Sequence, residues 1–253
     1  MACRVYAAQV LWLLGYPEQA LQRSYEALTL ARELAHPFSL AFALDRAARI
    51  QWLRREWQAN QAHAEALLAL ATEQGFALRV ATGTVHRGAA LAAQGQGETG
   101  IAEIRQGLAA YRAMGAEIGL TSWVAILAAA YGDVGQPEAG LRLLDEASAV
   151  RDKNDERFYE AELYRLKGDL FLALSMDHHA EAAACYQQAL DVVRRQQAKS
   201  WELRAAMSLS RLWQRQGKHF EARELLAPVY GWFTEGFDTA DLQEAKALLD
   251  ELS

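Results

Sequence analysis

The stretch Leu14-Gly15-Tyr16-Pro17-Glu18-Gln19-Ala20-Leu21 decides the fold. It reads as a helix end, a glycine turn and the first turn of a second helix, with proline where its missing N–H costs no hydrogen bond. The fifth residue after the glycine is small. The same word returns as Gly95-Gln96-Gly97-Glu98-Thr99-Gly100-Ile101, as Gly135-Gln136-Pro137-Glu138-Ala139-Gly140-Leu141 and as Gly217-Lys218-His219-Phe220-Glu221-Ala222-Arg223. Degenerate copies fall at 54–60, anchored on Ala59, and at 175–183, anchored on Ala182. The anchors Ala20, Ala59, Gly100, Gly140, Ala182 and Ala222 are separated by 39, 41, 40, 42 and 40 residues. A period near forty marks a helical repeat array.

A small anchor lets two helix backbones approach where they cross. Two further small series keep step with it. One is Ala8, Ala47, Gly88, Ala128, Gly168 and Ser210; the other is Ala27, Ala66, Gly107, Ala147, Ala189 and, in the last repeat, Val229. Between them runs a large series, Leu11, Ile50, Leu91, Tyr131, Phe171 and Trp213. Small and large layers in alternation are what interdigitating helices require.

Outward from the turns, the chain divides into repeats at about 1–36, 37–75, 76–115, 116–153, 154–198 and 199–236, with a capping helix at 238–252, all within one domain of 253 residues. Pro37, Gly75 and Gly115 mark helix boundaries. Asn154 or Asp155 is the expected N-cap of the next helix, and Asp238 or Thr239 that of the last. Leu242, Ala245, Leu248, Leu249 and Leu252 give the last helix one apolar stripe, suited to covering the end of the array. The first helix begins at the first residue without a cap, which carries the expectation that the chain is a piece of a longer protein.

Apolar residues make up 52% of the chain, enough for an extended core. The net charge of −6, from 26 basic and 32 acidic residues, gives no basic face for nucleic acid. Cys3 and Cys185 belong to no paired motif, which suits a reducing, cytoplasmic setting. The longest uncharged stretch, 118–132, falls short of the roughly 20 residues a membrane span needs. Neither nucleic acid nor membrane is therefore an expected partner.

The turn-and-anchor pattern resembles the tetratricopeptide (TPR) family, whose consensus the first repeat follows at Ala8, Leu11, Gly15, Ala20, Ala27 and Leu28. The unit here is about 40 residues, against 34 in that family. Leu13 to Pro17, Arg157 to Arg165, Leu225 to Tyr230 and Trp232 to Thr239 further resemble the C-terminal repeat region of bacterial proteins that join an adenylate/guanylate cyclase domain, an ATPase domain and a helical tail. The resemblance implies an all-α, right-handed TPR-like superhelix of six hairpins plus the capping helix. It also implies a non-enzymatic protein-interaction arm of a signalling protein, with a protein or peptide partner, or the upstream ATPase or cyclase domains. It carries over no catalytic or cofactor residue.

The candidate chemistry is sparse. Gly95-Gln96-Gly97-Glu98-Thr99-Gly100 spells G-x-G-x-x-G, but it follows a helix and falls on the repeat register, so it reads as a turn and not as a dinucleotide site. No P-loop is present. Asp177-His178-His179 with Glu181 sits in a turn, and adjacent histidines on a helix diverge, so no metal site is assigned. The tryptophans Trp52, Trp123, Trp201 and Trp213 read as core. No catalytic group, cofactor or metal is expected.

The working surface is then the concave wall, which first helices line in stacked hairpins. The resemblance places Val5, Gln9, Leu44, Ala48, Val85, Ala89, Ala125 and Ala129 there in the first four repeats, mostly small and apolar. In the last two it places Arg165, Asp169, Arg204, Met207, Arg211 and Arg215. An extended peptide is expected to lie apolar side down on the early repeats, its carboxylates on the arginines. The alternative is a small-molecule effector sensor of an ATPase or a transcription activator, which a deep pocket with converging polar groups would favour.

Overall fold

The computed structural model describes the backbone of residues 1–253 and every side chain but that of Met176. Among the described residues there are thirteen α-helices and no strand. They pair as hairpins: α1 (Ala2–Leu13) with α2 (Pro17–Glu33), α3 (Pro37–Leu53) with α4 (Trp57–Glu73), and α5 (Ala77–Ala93) with α6 (Gly97–Ala113). Next come α7 (Leu120–Asp133) with α8 (Pro137–Asn154), α9 (Glu160–Leu174) with α10 (His179–Gln196), and α11 (Lys199–Arg215) with α12 (His219–Tyr230). The helix α13 (Ala240–Glu251) stands last. This is the all-α repeat superhelix of six hairpins and a capping helix that the repeat pattern predicts.

The turns work as their residues dictate. Gly15, Gly95, Gly135 and Gly217 take φ of 89°, 86°, 73° and 74°, the left-handed conformation that ends a helix. Arg55 holds the corresponding place in the second repeat at φ 63° without being a glycine. Its neighbour Arg54 braces the turn, donating from Nε to Glu56 at 2.7 Å and from Nη1 to the Pro17 carbonyl at 2.7 Å.

Because no glycine flags that turn, the sequence alignment slips there by one residue. The buried anchor of the second repeat is Asn60, and Ala59 is only half-buried. Asn60 fits at the crossing because its Nδ2 donates to the Ala48 carbonyl at 2.6 Å. The anchors then stand at 20, 60, 100, 140, 182 and 222, and Ala66 of the third small series is exposed while Leu67 is buried. The other anchors are where the pattern predicts. A Cβ on Gly100 would lie 2.6 Å from the Gly88 carbonyl oxygen and from the Ala92 backbone nitrogen, so the backbones of α5 and α6 meet at that point.

The fourth and fifth repeats begin later than expected. Residues 116–119 form a loop, and Gly119, at φ 80°, precedes α7. Asn154 belongs to α8, and Asp155 ends it in the left-handed region, so neither caps α9; Tyr159 holds that place with no side-chain cap. Glu156 instead turns back and accepts the Gly119 and Thr121 backbone N–H groups, supplying α7 with the cap its own sequence lacks. Thr239 stands at the N-cap of α13, but its hydroxyl donates to the Gly236 carbonyl at 2.6 Å.

The six first helices touch in order, α1 to α3 to α5 to α7 to α9 to α11, and α11 returns to α1. The inner wall is therefore a closed ring. Its two ends overlap like a split washer: Ser200 and Trp201 at the start of α11 meet Trp12 at the end of α1. The Ser200 hydroxyl donates to the Trp12 carbonyl, and the two indoles lie edge to face at 4.7 Å. On the outside the seam is filled by the segment before α13. The Glu235 carboxylate accepts the Glu18 and Gln19 backbone N–H groups at 2.9 and 3.0 Å, capping α2 across the seam, and Tyr16 meets Trp232 with ring centroids 5.5 Å apart.

Candidate functional site

The ring encloses a channel that an aromatic septum divides. Tyr159 stands at the centre, with centroids 6.1 Å from Trp52 and 5.3 Å from Trp201. Trp123 and Trp201 are buried in the core as predicted, Trp123 also lining one side of the channel, whereas Trp52 and Trp213 are only half-buried against the core and Trp52 faces the channel. On either side of Tyr159 opens a mouth.

The smaller mouth, about 280 Å³, lies at the C-terminal ends of the inner helices. It gathers Arg165, Asp169, Arg204 and Arg211 with Ala125, Ala129 and Met207. Every one of those arginines is answered from within the chain. Arg165 donates to Glu162 at 2.6 Å and lies 2.5 Å from Asp169, while Arg204 donates to Asp241 at 2.8 Å and Arg211 to Glu244 at 2.9 Å. Arg55 adds bonds to Asp241 and Glu244, so α13 closes this side. Burial opposes the Arg165 charge, but Glu162 and Asp169 outweigh it and hold its pKa well above the usual value. Arg215 lies at the exposed end of α11, outside this mouth.

The larger mouth, about 770 Å³, lies at the N-terminal ends of the inner helices and includes Gln9. Its wall is not small and uncharged, as the early repeats were expected to be: charged side chains stand among large aromatic ones. On α3, Phe42, Asp45, Arg46, Arg49 and Trp52 recur at spacings of three and four, so one helix face carries them all into the channel. The repeat period explains why they were missed. Counting forty from Val5 and Gln9 gives Asp45 and Arg49, and the one-residue slip had put Leu44 and Ala48 in their place. The available signal was the run Leu44-Asp45-Arg46-Ala47-Ala48-Arg49, three charges in an otherwise apolar helix.

The electrostatics of this mouth centre on α3. Asp45 is buried and holds Arg79 at 3.0 Å and Arg46 at 3.5 Å. Burial pushes its carboxyl upward, but Arg46, His86 and Arg79 together hold it below its ordinary value. Arg49 is 7% exposed, donates from Nη2 to the Ser122 hydroxyl at 3.1 Å, and stacks between Trp123 and Phe158 at 5.3 and 5.7 Å from their centroids. Burial and the nearby Arg46 bring its pKa down to about 10. Polar atoms without a hydrogen-bond partner converge here: Arg46 Nε, Arg49 Nε, Arg79 Nε, Asp45 Oδ1, Thr121 Oγ1 and the Tyr159 hydroxyl. Buried polar groups are ordinarily paired, so this concentration makes the larger mouth the candidate site. The rim is apolar, with Tyr6, Leu78 and Ile118, the last 86% exposed.

The remaining sequence motifs are structural. Gly95 to Gly100 forms the turn between α5 and α6. His178 meets Glu181 at 3.2 Å within its own turn, and among the described residues no three His, Cys, Asp or Glu side chains gather as a metal site would require. No helix among the described residues is long and apolar enough to cross a membrane.

In fold, the chain is similar to apo RapI (12% identity, TM-score 0.66, covering 98% of this chain and 83% of that one). It is also similar to a Rap protein complexed with Competence and Sporulation Factor (10%, 0.68, 98% and 73%). A third likeness is to a putative kinesin light chain from Podosopora anserina with nearly identical TPR-like repeats (20%, 0.54, 78% and 95%). At these identities the structural likeness shows a TPR-like fold and no more. No protein-family model and no curated protein sequence matches the chain.

Proposed function

We propose that this chain is a non-catalytic recognition module that receives a short segment of a partner protein in the larger mouth of its ring. The observation that carries the reading is the closure of α11 onto α1, which removes any lateral entrance and leaves the mouths as the way in. A partner helix cannot lie along a closed inner wall, but a chain end or short extended segment fits a mouth of about 770 Å³. The Rap neighbour complexed with Competence and Sporulation Factor supports a similar role for this ring. On the sequence resemblance, the module is the sensor or partner-binding arm of a bacterial cyclase- or ATPase-linked signalling protein. We take residues 1–253 as one recognition unit, with Gln9 at the receiving mouth and Arg165, Asp169, Arg204 and Arg211 closing the opposite one.

A second reading, a small-molecule effector sensor, is favoured by the polar atoms that converge beside Tyr159. Hydrogen exchange of the purified chain, alone and with a pool of random short peptides or a metabolite extract, separates the two. Protection confined to the first halves of α3, α5 and α7 with peptides supports the first reading, and with metabolites alone the second. Protection on the outer helices with neither mouth affected overturns both.

A further inference from the structure

We propose that the larger mouth is a carboxylate receptor in which the guanidinium of Arg49 takes the anionic end of an otherwise apolar ligand. The proposal rests on the reading of this mouth as the binding site and names the chemistry it selects. Each other charge in the mouth has a partner. Arg46 and Arg79 share Asp45, Arg157 meets Asp155 at 2.7 Å, Glu117 meets Lys153 at 2.6 Å, and Glu156 is taken by the α7 backbone. Among the described residues, no carboxylate lies within salt-bridge distance of Arg49, although it is more than nine-tenths buried. An unpaired buried cation is costly, and it stays charged because arginine holds its proton. The two aromatic faces offset part of that cost but supply no hydrogen-bond acceptor. A carboxylate offers the bidentate geometry that a guanidinium fork fits best. Tyr6, Phe42, Leu78 and Ile118 line the approach, so the part of the ligand behind the carboxylate is apolar or aromatic.

Two sources present this chemistry, a peptide C-terminus and a free aryl- or alkyl-carboxylic acid. The test titrates the intact chain with 3-phenylpropionate and its amide, and with tetrapeptides ending in Leu or Phe as free acids and as amides, reading tryptophan fluorescence and calorimetry. The expected result is saturable binding of the acids and at least tenfold weaker binding of the amides. Tighter binding of the peptides identifies a chain end as the source, and tighter binding of phenylpropionate a free acid. Arg49→Met is expected to erase the preference for acids, and Arg49→Lys to reduce it, since the ammonium keeps the charge without the fork. Equal affinity for acids and amides in the wild-type chain overturns the carboxylate assignment and leaves the mouth as the binding site. No binding of any probe at millimolar concentration overturns both. Acid preference that survives Arg49→Met also overturns the assignment. Should neither variant fold, the wild-type comparison decides alone.

Discussion

Arg204 in α11 donates a 2.6 Å hydrogen bond to the carbonyl of Leu53 at the end of α3, across 151 positions of sequence. That carbonyl belongs to the last turn of a helix, where no intrahelical donor reaches it. The same guanidinium pairs with Asp241 of α13 at 2.8 Å and lies over the rings of Trp12 and Trp201 at 5.3 and 5.1 Å. One side chain thus ties the first two repeats to the last and to the capping helix, and holds the superhelix as a closed ring.

Arg204→Ala removes all four of these contacts at once and leaves Asp241 facing a half-empty seam. Breaking one partner out of a largely buried ion pair costs about 3 kcal/mol. The expected outcome is a lower urea midpoint together with a larger radius of gyration by small-angle scattering, as the ring opens. Unchanged scattering alongside lost stability would mean that the seam holds without Arg204.

Gly15 and Gly95 make the same turn, so their alanine variants separate backbone strain from the seam. Both carry the left-handed penalty, on the order of 1 kcal/mol. At Gly95 nothing lies near the added carbon, whereas at Gly15 it would stand 2.6 Å from the Trp232 ring and 2.9 Å from Lys199 Cβ. Gly15→Ala is therefore expected to destabilise by about 1–3 kcal/mol more than Gly95→Ala in chemical denaturation, the overpacking cost of a tight site. Equal losses would place the contact between the first and last repeats in doubt.

Gly100→Ala tests the repeat anchor itself. Alanine is the better helix former by about 1 kcal/mol. Here its Cβ would meet backbone on both sides, at 2.6 Å from Ala92 N and Gly88 O, and backbone cannot swing aside. A net loss of about 1–3 kcal/mol is expected from overpacking, against the propensity. A gain in thermal midpoint would show that the crossing has slack.

His86 predicts the acid behaviour of the fold. Its ring is buried edge-on to Trp123 at 4.9 Å, with both nitrogens unpartnered, and burial pushes its pKa down to about 4. Asp45, Arg46 and Arg49 of α3 and His63 of α4 face it; Asp45 favours the charged form, and the other three oppose it. The unfolded chain binds this proton near pH 6.5 and the folded chain only near pH 4, so stability falls as pH drops through that window. The loss attributable to His86 is on the order of 3 kcal/mol. Asp45, whose pKa is lowered from 3.8, acts at lower pH. Unfolding midpoints measured from pH 7 to 4 should fall in the wild type and flatten in His86→Leu. Parallel curves for the two proteins would rule His86 out as the source.

The repeat was legible because its turns are written in glycine and proline, which report backbone conformation directly. Where the word lacked its glycine, at Arg54-Arg55-Glu56-Trp57, the reading slipped by one residue, and a slip of one on a helix turns the face by 100°. That single step put Leu44 and Ala48 on the inner wall and hid Asp45 and Arg49. The arginines chosen from the later repeats, Arg165, Arg204 and Arg211, do face the channel, but on the side that α13 closes, where acids of the same chain already hold them.

What the sequence by itself determined is local and periodic: helix ends, small crossing points, the forty-residue step and the number of hairpins. Each follows from a residue and its near neighbours. Whether the superhelix stays open or closes depends on the accumulated rotation of six stacked pairs and on contacts such as Glu235 with Gln19, which lie 216 positions apart. Only the tertiary structure decided that, and with it the division of one groove into two unlike mouths, because a small change in the angle between repeats, summed around the ring, moves its ends together or apart.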